Sequence, residues 1–388
     1  MSDNYDDYED YEDEYIKRRR RRRRAERRMM RRRKRAIRII LTRWVPFAIA
    51  CILLIFLSVT GIKAGIRALS GVSQNTVSEN EPTEAVSENT ISENTVSENE
   101  TVSEDAVSEN EVQPIKTLGI TDDTTAGGIP GEVVSEHAVL ISLSENRIIA
   151  GRDYRSRINP ASMTKVLTVL VAAEQMQKNG DTLDTAYTID YEIENFSYVN
   201  ECSNVGFSVG EVVTLKDLFY GTILPSGGDA AYALARYAGG SMEGFADLMN
   251  QKLAELGCSE TAHFTNSIGL YDENHYCTTY DMAEMINAAM QNELCREVLS
   301  THVFTTSGTP EHPEGIEVSN WFLRRIEDKD CGGKVIAAKT GFVVQSKNCA
   351  VSYAEDNYGN PYICVTAGSS SAWRCIYDHV AIYKKYLK

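Results

Sequence analysis

Metal-ligand spacing is missing from this sequence. Its six histidines are scattered, and none forms H-E-x-x-H with another, which excludes a zinc peptidase of that type. Nine cysteines are present, yet no two stand as C-x-x-C, so neither a zinc ribbon nor a dithiol redox pair is encoded. Apolar residues are scarce near the N-terminus: Ser2 to Tyr15 is mostly Asp, Glu and Tyr, and Lys17 to Arg38 is mostly Arg. Neither run can build a core, and such blocks of like charge stay solvated and disordered. Residues 63–131 show no solenoid period. Copies of Val-Ser-Glu-Asn and close variants start at Val72, Val77, Val86, Ile91, Val96, Val102 and Val107, usually five residues apart, a step that fits neither helix nor stacked repeat. Their glutamates repel one another and little of the segment can be buried, so it reads as an extended, disordered stalk.

Long runs free of charge are also rare, and the longest decides the topology. Trp44 to Ile62 is about nineteen residues without a charge, enough to cross a bilayer as a helix, with Pro46 tolerable near the helix end. Cationic residues before such a span stay in the cytoplasm and place the rest of the chain outside. The expectation is a single-pass protein of the cell membrane. Residues 1–43 form a cytoplasmic tail, 44–62 a transmembrane helix, 63–131 an acidic stalk and 132–388 a folded extracytoplasmic domain. The arginines beside the span are suited to anionic lipid headgroups, and no nucleic acid is expected as a partner. A cleaved signal peptide is the competing reading, kept open by Ala68, Ser70 and Gly71 but opposed by a leader and an apolar stretch longer than usual. Much of the formal net charge of -15 lies in the stalk and beyond, since the arginine-rich tail pulls the other way. Eight cysteines follow the span, from Cys202 to Cys375, an even number that permits disulfides outside the cytoplasm. Cys349 and Cys364 are the candidate pair, across a hairpin turning near Asn357 to Asn360, with buried free thiols as the alternative.

The folded part begins, on this reading, near Glu132. Ala138 to Leu143 and Arg147 to Ala150 make a hairpin around Ser144-Glu145-Asn146. Met163, Val166, Leu167, Leu170 and Ala173 follow the helical period, and Asn179-Gly180 stops that helix. Thr214 and Asp217 make a capping box for a helix through Ile223. Pro225 to Gly228 breaks the chain before a helix from Ala230 to Gly239-Gly240, and Ser241 caps another with Phe245, Leu248, Met249, Leu253 and Leu256 on one stripe. A helix over Asp281 to Met290 is followed by strands Lys334–Ala338, Asn348–Tyr353 and Tyr362–Ala367 and by a last amphipathic helix. Strands at both ends with helices between them predict an α+β domain whose terminal strands share an antiparallel sheet.

Chemistry concentrates in three short motifs. In Pro160-Ala161-Ser162-Met163-Thr164-Lys165 a hydroxyl and an amine lie one helical turn apart, at a helix start whose free N-H groups favour developing negative charge. The amine can take the serine proton only where its surroundings favour its neutral form. Ser226 in the turn Ser226-Gly227-Gly228 can project a hydroxyl into a cleft. Lys339-Thr340-Gly341 ends a strand, where a cation and a hydroxyl can hold an anionic group while glycine lets its backbone approach. Each motif is common by itself. In this order and on these elements they fit the serine acyl-transferases that react with penicillin.

From about His137 to its end the chain resembles the D-alanyl-D-alanine carboxypeptidases of the low-molecular-mass penicillin-binding protein type. The resemblance rests on the first motif, on Leu224-Pro225-Ser226-Gly227-Gly228-Asp229-Ala230, on Phe264-Thr265-Asn266-Ser267-Ile268-Gly269-Leu270 and on Ala338-Lys339-Thr340-Gly341-Phe342. It implies a β-lactamase/transpeptidase-like domain acting on the D-Ala-D-Ala end of peptidoglycan stem peptides, with β-lactams as covalent inhibitors and without cofactor or metal. Ser162 would be the nucleophile and Lys165 its base, with a pKa lowered by desolvation and by the second cation, Lys339. Ser226 would relay a proton to the departing D-alanine. Lys339, Thr340 and Gly341 would bind the substrate carboxylate end, and the backbone N-H groups of Ser162 and Phe342 would form the oxyanion hole.

The second motif normally ends in asparagine, where this chain has Gly228; losing one such contact costs on the order of 1 to 3 kcal/mol, and a nearby side chain or a water can fill the gap. Two other readings use the same residues: a transpeptidase, with an amine as acceptor, and a degenerate wall-binding protein with little turnover. A class A β-lactamase would need a deacylating glutamate near an asparagine; there is no convincing equivalent between Lys165 and Lys339, and the second motif does not fit that class either. The β-rich second domain and C-terminal anchor often found in the family do not fit after Lys339, so the N-terminal span is expected to serve as the anchor.

Overall fold

The computed structural model describes residues 115–121 and 124–387. The acidic and arginine-rich tail, the expected transmembrane helix and most of the stalk lie outside the described residues. Among the described residues no helix is long and apolar enough to cross a membrane.

The hairpin read from the sequence forms β2 (His137–Ser142) and β3 (Arg147–Arg152), with the two-residue β1 (Gly127–Gly128) beside it. The later strands are β4 (Gly333–Val343), β5 (Lys347–Asp356) and β6 (Pro361–Ser369). They join in one sheet of order β1-β3-β2-β6-β5-β4, so the first and last long strands pair side by side, Leu140 opposite Cys364. All pairings are antiparallel except β1 with β3, which is parallel.

Alternation along the central strands sorts their side chains between two cores. Val139, Ile141, Ile363 and Val365 enter the larger one, while Ala138, Leu140, Tyr362 and Cys364 enter the smaller one on the other face. The same alternation overturns the expected disulfide. Cys349 belongs to the larger core and Cys364 to the smaller, and their register partners are Gly341 and Ser352. Opposite faces of a sheet cannot be bridged, and the eight described cysteines form no disulfide.

Helices cover both faces. On the larger core lie α1 (Lys165–Asn179), α2 (Tyr191–Val199), α3 (Leu215–Ile223), α4 (Gly228–Gly239), α5 (Met242–Glu255), α6 (Thr279–Gln291) and α7 (Glu293–Ser300). The short α8 (Leu323–Ile326) and the C-terminal α9 (Ala372–Tyr386) cover the other face. The Thr214–Asp217 capping box and the Ser241 cap stand as read. The helix expected from Asp281 starts at Thr279, because Thr278 and Asp281 form a second capping box.

Order reaches further toward the N-terminus than Glu132. Leu118 and Ile120 are buried, and Glu284 on α6 accepts from the backbone N-H groups of Leu118 (2.9 Å) and Gly119 (3.3 Å). The end of the expected stalk is therefore strapped to α6.

Candidate active site

Pro160, Ala161 and Ser162 lead into α1 through a 3₁₀ turn, Ala161–Thr164, rather than through a regular first α-turn. In a 3₁₀ turn residues i and i+3 eclipse one another, which stacks Lys165 directly on Ser162. The Lys165 amine donates to Ser162 Oγ at 3.0 Å and to the carbonyl of Ile268 at 2.8 Å. The lysine is buried while the serine is half-buried. Burial lowers the Lys165 pKa to about 8, with Cys202 and Asp229 opposing that fall.

The Ile268 carbonyl was not singled out beforehand, since a backbone acceptor leaves no mark in a sequence. Its holder is Asn266, whose side-chain oxygen accepts from the N-H groups of Ile268 (3.1 Å), Gly269 (2.8 Å) and Leu270 (3.0 Å). Thr168 on α1 donates to the adjacent Ser267 carbonyl at 2.7 Å. This loop is thereby tied to the helix that carries the lysine.

Ser226 and Lys339 meet across the site. The Lys339 amine donates to Ser226 Oγ at 2.9 Å and to the Thr340 carbonyl at 2.7 Å. Ser226 has φ 59°, a left-handed conformation that is strained for a residue with a Cβ and that places its hydroxyl before α4. Burial, and then the Lys165 ammonium, push the Lys339 amine well below its usual value. Burial is the first cause at both amines, and repulsion between two such neighbours acts on each.

The Lys-Thr-Gly strand end abuts the 3₁₀ turn. A Cβ on Gly341 would lie 2.8 Å from the Pro160 carbonyl and 2.9 Å from the Ser162 nitrogen. Only glycine lets β4 run this close to the nucleophile. Cys349 on β5 adds a thiol contact to the Pro160 carbonyl at 3.4 Å. Thr340 is half-buried beside Lys339, and the Phe342 side chain is 60% exposed, so any role of Phe342 at Ser162 belongs to its backbone. The first motif, Ser226 and the Lys339-Thr340-Gly341 strand thus come together at one place.

Comparison with known proteins agrees with this arrangement. The match to D-alanyl-D-alanine carboxypeptidase, peptidase family S11, spans residues 123–371. A D-alanyl-D-alanine carboxypeptidase of Streptomyces sp. (strain K15) is 30% identical over 222 residues, 56% of this chain and 74% of the relative. DacF of Bacillus subtilis, also named a D-alanyl-D-alanine carboxypeptidase, is 29% identical over 222 residues, 57% of this chain and 54% of that protein. The chain therefore spans about half the length of the Bacillus relative. Among solved structures, the Streptomyces K15 DD-transpeptidase superposes with a TM-score of 0.59 at 26% identity, covering 69% of this chain and 100% of that one. The mixed α/β fold is thus transpeptidase-like. With the family match running over most of the chain and the serine, lysine and Lys-Thr-Gly motifs gathered at one place, the protein belongs to the S11 family of serine peptidases, the D-alanyl-D-alanine carboxypeptidases.

Proposed function

We propose that this protein is a serine-type D-Ala-D-Ala carboxypeptidase, which removes the terminal D-alanine of peptidoglycan stem peptides through an acyl-enzyme on Ser162. The observation that carries the reading is the 3.0 Å contact between Ser162 Oγ and a buried Lys165 amine whose pKa lies at about 8. A useful fraction of that amine is neutral near physiological pH, so it can take the serine proton as Oγ attacks the penultimate carbonyl. Negative charge then develops on the carbonyl oxygen, where the backbone N-H groups of Ser162 and Phe342 would receive it. Ser226 would pass the proton to the leaving D-alanine nitrogen. Lys339 and Thr340, with Gly341 allowing close approach, would hold the terminal carboxylate. Water attacks the ester in the second half-reaction, with Lys165 again as base.

The DD-transpeptidase fold neighbour supports a second reading, in which an amine replaces water as acceptor. β-Lactams, which present a reactive amide to the same serine, would acylate Ser162 under either reading. As to place, the uncharged run Trp44 to Ile62 and the arginines before it support a single-pass anchor. Its tail would contact anionic lipid on the cytoplasmic side and its domain would face the wall.

The test is to incubate the full-length chain, wild type and Ser162→Ala, with a fluorescent penicillin and separately with a D-Ala-D-Ala peptide, with and without an amine acceptor. Labelling and D-alanine release, both lost in Ser162→Ala, are expected. Release that survives the substitution would sink the mechanism. Labelling without release would favour a binding protein, and release only with the amine would favour the transpeptidase.

A further inference from the structure

The third position of the second motif is empty of side chain, yet the space beside it is filled. A Cβ built on Gly228 would lie 2.5 Å from the Cβ of Cys202, 3.0 Å from its sulfur and 3.2 Å from Ser197 Oγ. Cys202 stands in a separate segment, after α2, and enters the volume that a larger residue at position 228 would take. Several contacts fix it there. The Gly228 N-H donates to the Ser203 carbonyl at 2.6 Å, and the Cys202 N-H donates to the Ser197 carbonyl at 3.0 Å. The buried Asp229 carboxylate accepts from the N-H groups of Val205 and Gly206, each at 3.0 Å. Glu201, immediately before the cysteine, has φ 53°, a strained conformation that these bonds hold in place. Each of the other seven described cysteines is buried, whereas Cys202 is half-buried. Together with Asp229 it opposes the fall that burial imposes on the Lys165 pKa.

We infer that Cys202 is a positioning residue of the acyl-transfer site, supplying from the segment after α2 the polar side chain that Gly228 lacks at the end of the second motif. The inference rests on the acyl-transfer reading of Ser162. Asp229 is the clasp: its carboxylate binds backbone on both sides of the arrangement, Val205 and Gly206 on the loop and Ala230 on α4. A thiol is a small, polarisable donor and acceptor, so it can steady the Lys165 amine and the cleft wall where the motif would otherwise have an amide. The two positions are therefore coupled by volume. An asparagine at 228 and a cysteine at 202 cannot coexist, because the two Cβ atoms would stand 2.5 Å apart. Alanine at 202 would keep the offending Cβ, so only glycine there makes room.

That exclusion gives a reciprocal test on the full-length chain with wild type, Cys202→Gly, Gly228→Asn, the Cys202→Gly/Gly228→Asn double variant and Cys202→Ser. The readouts are the second-order rate of acylation by a fluorescent penicillin and the thermal unfolding temperature. Each of the first two single variants is expected to slow acylation by about tenfold or more, the loss of one polar contact, with Gly228→Asn also unfolding at lower temperature from overpacking. The double variant is expected to recover to within about threefold of wild type, and Cys202→Ser to keep most of the rate. The pH profile separates positioning from space filling. Burial lowers the Lys165 pKa while the charges of Cys202 and Asp229 hold it up, and Lys165 and Lys339 repel each other. Loss of the thiol in Cys202→Ser should therefore move the acid limb of acylation to lower pH. Losses that simply add in the double variant, or a pH profile unmoved in Cys202→Ser, would overturn the inference while wild-type labelling stands. Absence of labelling in wild type would instead remove the acyl-transfer reading itself.

Discussion

An alanine at position 341 would probe the closest backbone approach in the site. Its Cβ would meet Cys349 Sγ at 2.8 Å, the Pro160 carbonyl at 2.8 Å and the Ser162 nitrogen at 2.9 Å. Ordinary carbon contacts begin about half an ångström further out. Cys349 is buried against the Pro160 carbonyl and has little room to swing. The other two atoms are backbone, so relief requires β4 to move away from the 3₁₀ turn. Oxyanion donors act only within roughly 2.7 to 3.1 Å of the developing charge. With the Ser162 and Phe342 N-H groups as the proposed oxyanion hole, a half-ångström separation of the two would remove one donor, a loss of about 10²- to 10³-fold in acylation rate. Overpacking adds about 1 to 3 kcal/mol of destabilisation. The assay is stopped-flow acylation by a fluorescent penicillin, beside D-alanine release and thermal unfolding followed by circular dichroism. Phe342→Ala is the control, because it keeps the N-H and loses only an exposed ring. Folded Gly341→Ala that acylates within about threefold of wild type would refute the claim that β4 and the 3₁₀ turn build the oxyanion hole together.

Further outcomes follow from the same geometry. The second-order acylation constant, which reports the free enzyme, should rise with pH through about 8 as buried Lys165 loses its proton, the sign expected for a base that works neutral. Lys165→Arg, permanently charged, should lose about 10²- to 10⁴-fold at every pH; a pH-rate profile of both proteins checks this. Asn266→Ala leaves three loop N-H groups without their acceptor and frees the Ile268 carbonyl from its place under Lys165. Acylation should fall about tenfold, together with a lower unfolding temperature, measured by labelling kinetics and calorimetry.

Local signals were the ones legible in the sequence. Ser162 and Lys165 lie within one turn, the Thr214–Asp217 box spans four residues, and the β5–β6 hairpin turns where its polar residues cluster. What escaped depends on partners distant in the chain. Residues 115–121 resemble stalk by composition, yet Leu118 and Ile120 are buried where Glu284 and Tyr280 on α6 bind the backbone. The helix α2 shows a single apolar turn, with only Ile193 and Ser197 buried, and depends on the Asp190 cap. The Cys349–Cys364 expectation failed because a hairpin fixes which residues are neighbours, while sheet face depends on register to the residue. Gly228 was legible as a departure, but the cysteine that fills its place stands a separate segment away. An apolar or polar residue near Asn200 carries no local mark of that task.

The two amines also limit what the site can do before substrate arrives. Both are buried, and each would be a cation in water. Burial and mutual repulsion both disfavour carrying the two charges at once, and both amines lie below their usual values. Lys165 is lowered by burial, and Lys339 by burial and then by the Lys165 ammonium. A carboxylate bound between Lys339 and Thr340, as proposed, would stabilise the ammonium of Lys339, and repulsion from that ammonium would then favour the neutral form of Lys165. On the proposed roles the group that would hold the substrate's end would also free the base, so a ligand lacking the carboxylate would lose acylation rate as well as affinity.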